Sequence, residues 1–315
     1  MALQRASDEQ MRSIMKEIRE GTNSCDENLA RVRSWLNTQP HLPKIQEDRL
    51  LLAFIRGCKH DMERAKSKID MYFTVREIMP EFFSQRNPLS PEIQDASSLM
   101  QAFPLPRLTP TGCRVTVHRF TNQDGNRFNN RDCFKYVFMT GDIRLMEEEP
   151  IIGDIFLFDM NNVNLSYFSK LSFPMVKKVL TCAQEAYPQR LKQIHILNAP
   201  TYVDKFVNLF KSLMKEKMRS RFHVHSGSLE NLHKWIHPSV LPSDYGGQGD
   251  SIDKLHGQWM KKLESYRDWF LQQENVKADS SKRIGPTKNF NHINNRSECD
   301  GTFGWEGSFR RLSID

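Results

Sequence analysis

No apolar run in these 315 residues approaches the roughly 18 consecutive residues that would span a bilayer. The longest candidates, such as 155–158, are strand-sized. The opening MALQRASDEQMRS has no apolar core, which argues against a secretory leader. Six cysteines (Cys25, Cys58, Cys113, Cys133, Cys182, Cys299) are scattered without a CxxC pair, a pattern expected of reduced cytosolic thiols rather than a disulfide framework. There is no GxxxxGK[ST] and no GxGxxG, and Gly246, Gly247 and Gly249 follow no strand, so a nucleotide cradle is excluded. No GxSxG elbow marks a hydrolase. Cys-x5-Arg spacing occurs at 25–31 and 58–64. Both stretches read as helix, lack a glycine-rich loop and carry acids (Asp26 and Glu27; Asp61 and Glu63) that would repel a phosphate. A readout helix, a zinc knuckle and an aromatic RNA-binding signature are all missing, so no nucleic-acid partner is expected. With no catalytic constellation in view, the expectation is a non-enzyme with no catalytic residue, no metal and no cofactor.

What is present begins as helix. Ser7-Asp8-Glu9-Gln10 is a capping box, and the helix it opens is expected to stop at Gly21. Further helices are expected over 26–39, from Gln46 or Glu47, and over 61–79, ended by Pro80. Short helices cannot bury their faces alone, so 1–94 reads as an all-helical N-terminal domain. Residues 80–113 carry six prolines and read as loop, with a domain boundary at 95.

The pattern then changes. Arg114–Phe120 alternates as a strand does, with Val115 and Val117 on one face. Helix is expected over 132–149, strand over 151–158, helices from Ser166 and over 174–187, and strands at 194–197 and 222–225. Repeated alternation of strand and helix predicts an α/β domain over 95–250, with a mainly parallel mixed sheet. A turn-rich 238–249 precedes one helix over 251–274. Residues 275–315 are poor in aliphatics and are expected to form an extended or disordered tail, whose Phe303, Trp305 and Phe309 could dock back or bind a partner.

The most informative stretch is 188–225. At 100° per residue, Val203, Phe206, Val207, Phe210, Leu213 and Met214 fall within roughly 120° of arc. Around that helix stand eight Lys or Arg against two acids, a local +6 in a chain of net +7. An apolar helix face beside a cationic edge suits an anionic membrane surface, and it equally suits a core helix with a solvated back. His223 and His225 share a strand face and could be half a metal site, but no third ligand is spaced to help. Hydrogen-bonded or solvated strand-end histidines are the plainer reading.

Four segments taken in order carry a resemblance: LLAFIRGCKHDMERAKSKIDMYFTVRE (51–77), IFLFDMNNV (155–163), PQRLKQIHILNAP (188–200) and LPSDYGGQG (241–249). They resemble successive landmarks of the CRAL-TRIO lipid-binding family, in its alpha-tocopherol transfer protein-like branch, across roughly 48–249. The resemblance implies a CRAL-TRIO fold: a sheet flooring an apolar cavity, a gating helix over it, and the helical domain ahead of it. The gate would be 203–214. Phe134, Val137, Phe138, Gly141, Phe156, Phe158, Val179, Cys182, Ala183, Tyr187, Leu191 and Ile194 match the family's pocket positions. Val137 and Gly141 replace serines of the tocopherol-binding relative, which leaves Thr140 and Tyr187 as polar groups, each readable as a satisfied core hydroxyl. Arg190, Lys192, Lys217 and Arg221 match phosphoinositide-binding positions, with Lys217 and Arg221 expected on one helix face. The remaining basic position falls on Cys58, with Lys59 beside it as a substitute.

The function this implies is a cytoplasmic, peripherally membrane-associated carrier. It would hold one hydrophobic small molecule (a retinoid, tocopherol, carotenoid or similar isoprenoid), dock on a phosphoinositide-containing membrane and open its gate there. One alternative is a phosphoinositide-binding adaptor without ligand transfer. Another is an enzyme on a lipid or phosphate ester, for which His223 and His225 are the only thread.

Overall fold

The computed structural model describes residues 1–21, 24–121, 127–163, 167, 170–200, 207–208, 211–212, 216–225 and 229–284. The chain opens with α1 (Asp8–Ile18), where Ser7 and Gln10 cap each other's backbone as the motif requires. Arg19, not Gly21, takes the left-handed conformation that closes α1 (φ 63°). α2 (Ser24–Asn37), α3 (Asp48–Gly57) and α4 (Met62–Ile78) follow, and the Asp61 carboxylate caps α4 through the Arg64 N–H at 3.1 Å. α5 (Pro80–Phe83) and α6 (Pro91–Leu99) complete the helical part, each with proline in its first turn, where no N–H is missed.

The sheet has five strands in the order of the chain: β1 (Met100–Leu108), β2 (Cys113–Phe120), β3 (Gly153–Asp159), β4 (Leu191–Leu197) and β5 (Phe222–His225). β1 runs antiparallel to β2, and the other pairings are parallel, so the mixed, mainly parallel sheet expected from sequence is present. Between the strands lie α7 (Asn130–Glu147), α8 (Phe173–Thr181) and α9 (Glu216–Arg219). After β5 come α10 (Glu230–His233), α11 (Ile252–Ser265) and α12 (Arg267–Gln272). The single helix expected over 251–274 is therefore two, broken at Tyr266 (φ −90°, ψ 8°).

The loop expected over 80–113 is the larger correction. It contains α5, α6 and β1, and the boundary placed at 95 falls inside α6. Pro104 and Pro106 hid the strand. Proline cannot donate to a ladder, yet β1 is an edge strand, and its pairing slips between Pro104 and Leu108 where the prolines sit.

The strand registers define two sheet faces. Thr116, His118, Phe156, Phe158, Ile194 and Ile196 share one. α7 covers this face, placing Arg144 against Thr116 (3.3 Å) and Asp154 (2.6 Å). Val115, Val117, Ile155, Leu157, Asp159 and His195 share the other, which Tyr245 and Trp235 from the C-terminal segments cover. One core wraps the sheet. A second lies between α3, α4, α5 and α7, with Phe54, Phe73 and Phe82 fully buried, each worth about 1.5–3 kcal/mol of transfer before entropy. Beyond α12 the chain straps across the helical part: Ala278 and Asp279 donate to the Phe73 and His41 carbonyls, and Arg283 pairs with Asp70 at 2.7 Å. So the first residues of the expected tail are packed. Phe303, Trp305 and Phe309 lie outside the described residues, as does most of the helix expected from Ser166.

Candidate functional site

The residues expected to line a pocket divide into two groups. Phe156, Phe158 and Ile194 lie on the α7-covered sheet face, and Val137 of α7 packs in the same cluster. Phe156 and Phe158 are only half-buried, although Ile194 and Ile196 beside them are buried. Leu191 is half-buried where β4 begins, opposite Asp154.

The second group turns toward the helical part. Phe138 packs on Phe82 and Phe83, and its ring stacks on Tyr187 at 5.6 Å. Phe134 and Val179 belong to this cluster too, and the Cys182 thiol lies 3.4 Å from Met79 Sδ. Tyr187 lies over Gly141, where an added Cβ would come within 3.2 Å of its Cε1. Ala183 differs from expectation: the turn Cys182–Ala186 is π-helical and presents Ala183 to solvent.

Neither candidate polar anchor has a spare hydroxyl. Thr140 Oγ1 donates to the Ala102 carbonyl (3.3 Å) and accepts from Trp259 Nε1 (3.2 Å). Tyr187 Oη donates to Asp142 Oδ1 at 2.7 Å. Asp142 is fully buried and also holds Arg76, Arg86 and Tyr72. Burial alone would raise this carboxyl, but Arg76 and Arg86 outweigh it and keep it below the usual range. None of this network was visible in sequence, because Arg76 and Arg86 stand 66 and 56 residues from Asp142.

His118 is the residue that the sequence reading missed. Its ring stacks on Phe158 at 4.5 Å and meets Phe156 edge-on at 5.4 Å. Burial, then the Arg144 charge, pulls its pKa down to about 4, so it is neutral near pH 7. Its Nδ1 is buried with no hydrogen-bond partner among the described residues. Strand alternation placed His118 opposite Val115 and Val117, the one signal that pointed to it.

The expected gate falls largely outside the described residues, including Val203, Phe206, Phe210, Leu213 and Met214. Val207 is buried in the main core.

The cationic positions do different work from one another. Arg190 spends its guanidinium on the carbonyls of Ile152, Arg56 and Ile151. It thereby ties β4 to the end of α3, where Gly57 lies so close to Pro188 that a Cβ would fall 2.3 Å from its carbonyl oxygen. A cavity of about 250 Å³ adjoins it, walled by Arg56, Arg144, Asp154 and Pro188 among others. Lys59 and Lys192 both reach one oxygen of Glu17, at 2.8 and 3.3 Å, and pull that carboxyl down to about 2. Cys58 is buried, and burial pushes its thiol up to about 11, so it adds no charge there. Arg221 donates to the Leu191 carbonyl, and Lys217 is exposed. Because α9 ends at Arg219, Lys217 and Arg221 do not share a helix face as the spacing predicted; Arg221 belongs to the turn entering β5.

His223 and His225 join a third histidine rather than an open ligand position. His195 Nδ1 and His225 Nε2 are 2.8 Å apart, and His195 stacks between the rings of His223 (5.1 Å) and His225 (5.0 Å).

A helical N-terminal part, a mainly parallel sheet with a covered face carrying half-buried aromatics, and cations near the start of β4 define a two-part α/β protein. The CRAL/TRIO domain model matches residues 100–247, and a Pinta-like UBA domain model matches residues 22–93. Clavesin-2 of Homo sapiens is 27% identical over 82% of this chain and 79% of its own length. The Alpha-tocopherol transfer protein-like protein of Mus musculus is 30% identical over 74% of this chain and 67% of its own. The crystal structure of Sfh5 superposes with a TM-score of 0.44 at 15% identity, covering 84% of this chain and 99% of that one. The chain belongs to the CRAL-TRIO family. No helix among the described residues is long and apolar enough to cross a membrane.

Proposed function

We propose that this chain is a cytoplasmic carrier of a single hydrophobic molecule of isoprenoid size, such as a retinoid, tocopherol or carotenoid. The observation that carries the reading is the sheet face under α7. There Phe156 and Phe158 stay half-buried among buried neighbours, and His118 offers a neutral, unpartnered ring nitrogen beside them. A ligand over these rings would lose several hundred Å² of apolar surface to water, on the order of ten kcal/mol before the costs of association. His118 would then receive a hydrogen bond from a polar end, the part that Thr140 and Tyr187 cannot play. The serine-free positions Val137 and Gly141 leave tocopherol itself without the partners it has in its relative.

Residues 203–214 would close over the ligand. Lys217, Arg221, Lys192 and Lys59 would meet a phosphoinositide headgroup, with Arg190 holding the start of β4 in place behind them. Headgroup binding beside the gate would bias it toward opening, provided the open form binds the headgroup more tightly. The packing of Phe138, Cys182 and Tyr187 into the helical core favours the second reading, an adaptor that binds the headgroup and carries no ligand. Lipid extraction from freshly purified protein, followed by mass spectrometry, separates the two. A stoichiometric apolar molecule supports the carrier; an empty protein that takes up no retinoid, tocopherol or carotenoid supports the adaptor.

A further inference from the structure

Away from the sheet, three chemically distinct donors converge where α1 ends, α2 begins and α3 turns into α4. Glu20 follows α1, Cys25 sits in the first turn of α2, and His60 lies in the α3–α4 turn. One ligand atom from each lies within 4.8 Å of the other two. Lys59 and His60 both adopt left-handed backbone (φ 56° and 59°), uncommon outside glycine though histidine enters it more readily than most. The His60 side chain is only 8% exposed. Its Nε2 is buried, makes no hydrogen bond among the described residues, and points at Glu20 Oε2 from 3.4 Å. A buried nitrogen left with only a long, poorly aligned contact to a carboxylate is costly, and a cation between the two would satisfy both.

The cluster does not suit nucleophilic chemistry. Burial, then the bond to Glu20, pushes the Cys25 thiol up to about 11, the reverse of an activated thiolate. The set of sulfur, imidazole nitrogen and carboxylate oxygen does suit zinc. With metal–ligand lengths of roughly 2.0–2.3 Å, a tetrahedral site needs donors roughly 3.3–3.7 Å apart; His60 Nε2 and Glu20 Oε2 already stand 3.4 Å apart, and Cys25 Sγ, within 4.8 Å of both, moves in by up to about 1 Å through side-chain rotation. We infer that Glu20, Cys25 and His60 form a site for one zinc-type divalent ion, with water as fourth ligand, that pins the α1–α2 junction to the α3–α4 turn.

The surroundings supply an outer shell. Asn28 Nδ2 lies 2.9 Å from His60 Nδ1. With its amide turned, the Asn28 oxygen accepts the Nδ1 proton and frees Nε2 for the ion. Arg56 holds both Glu20 oxygens, at 2.8 and 2.9 Å, and lies 3.6 Å from Cys25 Sγ. On ion binding it keeps Oε1 and yields Oε2, the oxygen facing His60. The thiolate and carboxylate neutralise the dication, so Arg56 stands beside a neutral site.

Cobalt and zinc titration of the full chain tests this. The expected result is one ion per chain, a near-ultraviolet thiolate-to-cobalt band with intense tetrahedral visible bands, and a rise in melting temperature with zinc. Cys25→Ser should abolish the thiolate band, and His60→Gln should weaken binding at least about tenfold, as should the milder Asn28→Ala through the outer shell. Circular dichroism confirms that each variant folds; if the first two do not, Asn28→Ala alone decides, because it leaves all three ligands in place. Substoichiometric uptake by the parent chain, a thiolate band that survives Cys25→Ser, or unchanged affinity in Asn28→Ala would overturn the site.

Discussion

Tyr187 donates its phenolic proton to Asp142 at 2.7 Å, within the sheet domain and beside the seam that Arg76 and Arg86 of the helical part cross to reach the same carboxylate. The bond fixes the ring over Gly141 and against Phe138, so a position expected to line a pocket serves as a structural pin. Asp142→Asn leaves Arg76 and Arg86 buried without their counter-charge and is expected to cost about 3–5 kcal/mol. Tyr187→Phe removes one hydrogen bond and is expected to cost about 1–3 kcal/mol. Urea unfolding of both variants checks the order; equal, negligible losses would show that the network contributes nothing.

Glu17 acts as a tethered anion on Lys59 and Lys192. Its folded pKa, lowered from 4.5 to about 2, means that its stabilising effect is complete above pH 4.5 and is lost as pH falls from 4.5 toward 2. The pairs are exposed enough that the effect on stability is small. The larger consequence concerns binding: Glu17→Gln frees both lysines and is expected to tighten association with phosphoinositide vesicles several-fold, most at low salt. Vesicle co-sedimentation with Glu17→Gln giving no gain would remove Lys59 and Lys192 from the headgroup site.

Lys217→Ala combined with Arg221→Ala is expected to weaken phosphoinositide-vesicle binding by at least about tenfold while the chain still folds, with a small drop in melting temperature from the lost Arg221 bond to the Leu191 carbonyl. Each charge near an anionic surface is worth about 1 kcal/mol. Arg190→Ala, by contrast, should lower the melting temperature, because three carbonyls lose their donor. Vesicle binding unchanged in the double variant would end the membrane part of the proposal.

His118 gives the pH dependence a sign. Its folded pKa of about 4 lies below the 6.5 of an ordinary histidine. The unfolded chain therefore takes up the proton first, and stability falls as pH drops from 6.5 to 4. His118→Phe keeps the stacking and removes the titration, so it should flatten that fall by on the order of 2 kcal/mol at pH 4.5. It should also weaken a hydroxyl-bearing ligand more than a pure hydrocarbon. Identical pH profiles by urea unfolding would contradict the burial argument.

Local grammar carried much of the fold. The Ser7 capping box, the helix opening at Asp61, the Pro80 stop and the alternation of Val115 and Val117 each appear in place. What failed was non-local. β1 could not be recognised through Pro104 and Pro106 until its edge position was known. Arg190 read as a free cation because its acceptors, the carbonyls of Arg56, Ile151 and Ile152, come from chain that is remote in sequence. Lys217 and Arg221 looked helical by spacing, yet α9 stops at Arg219 so that the chain can enter β5. His118 drew no notice because a lone histidine in a strand carries no motif.

The central claim is that the α7-covered face holds one hydrophobic molecule. Native mass spectrometry of the freshly purified full chain, before and after incubation with retinoid, tocopherol and carotenoid, measures this directly. The predicted result is a single apolar adduct at one per chain, present on isolation or acquired from that panel, and displaced when Phe156 and Phe158 are changed to Trp to fill the face. A protein that is empty on isolation and remains so across the panel would contradict it.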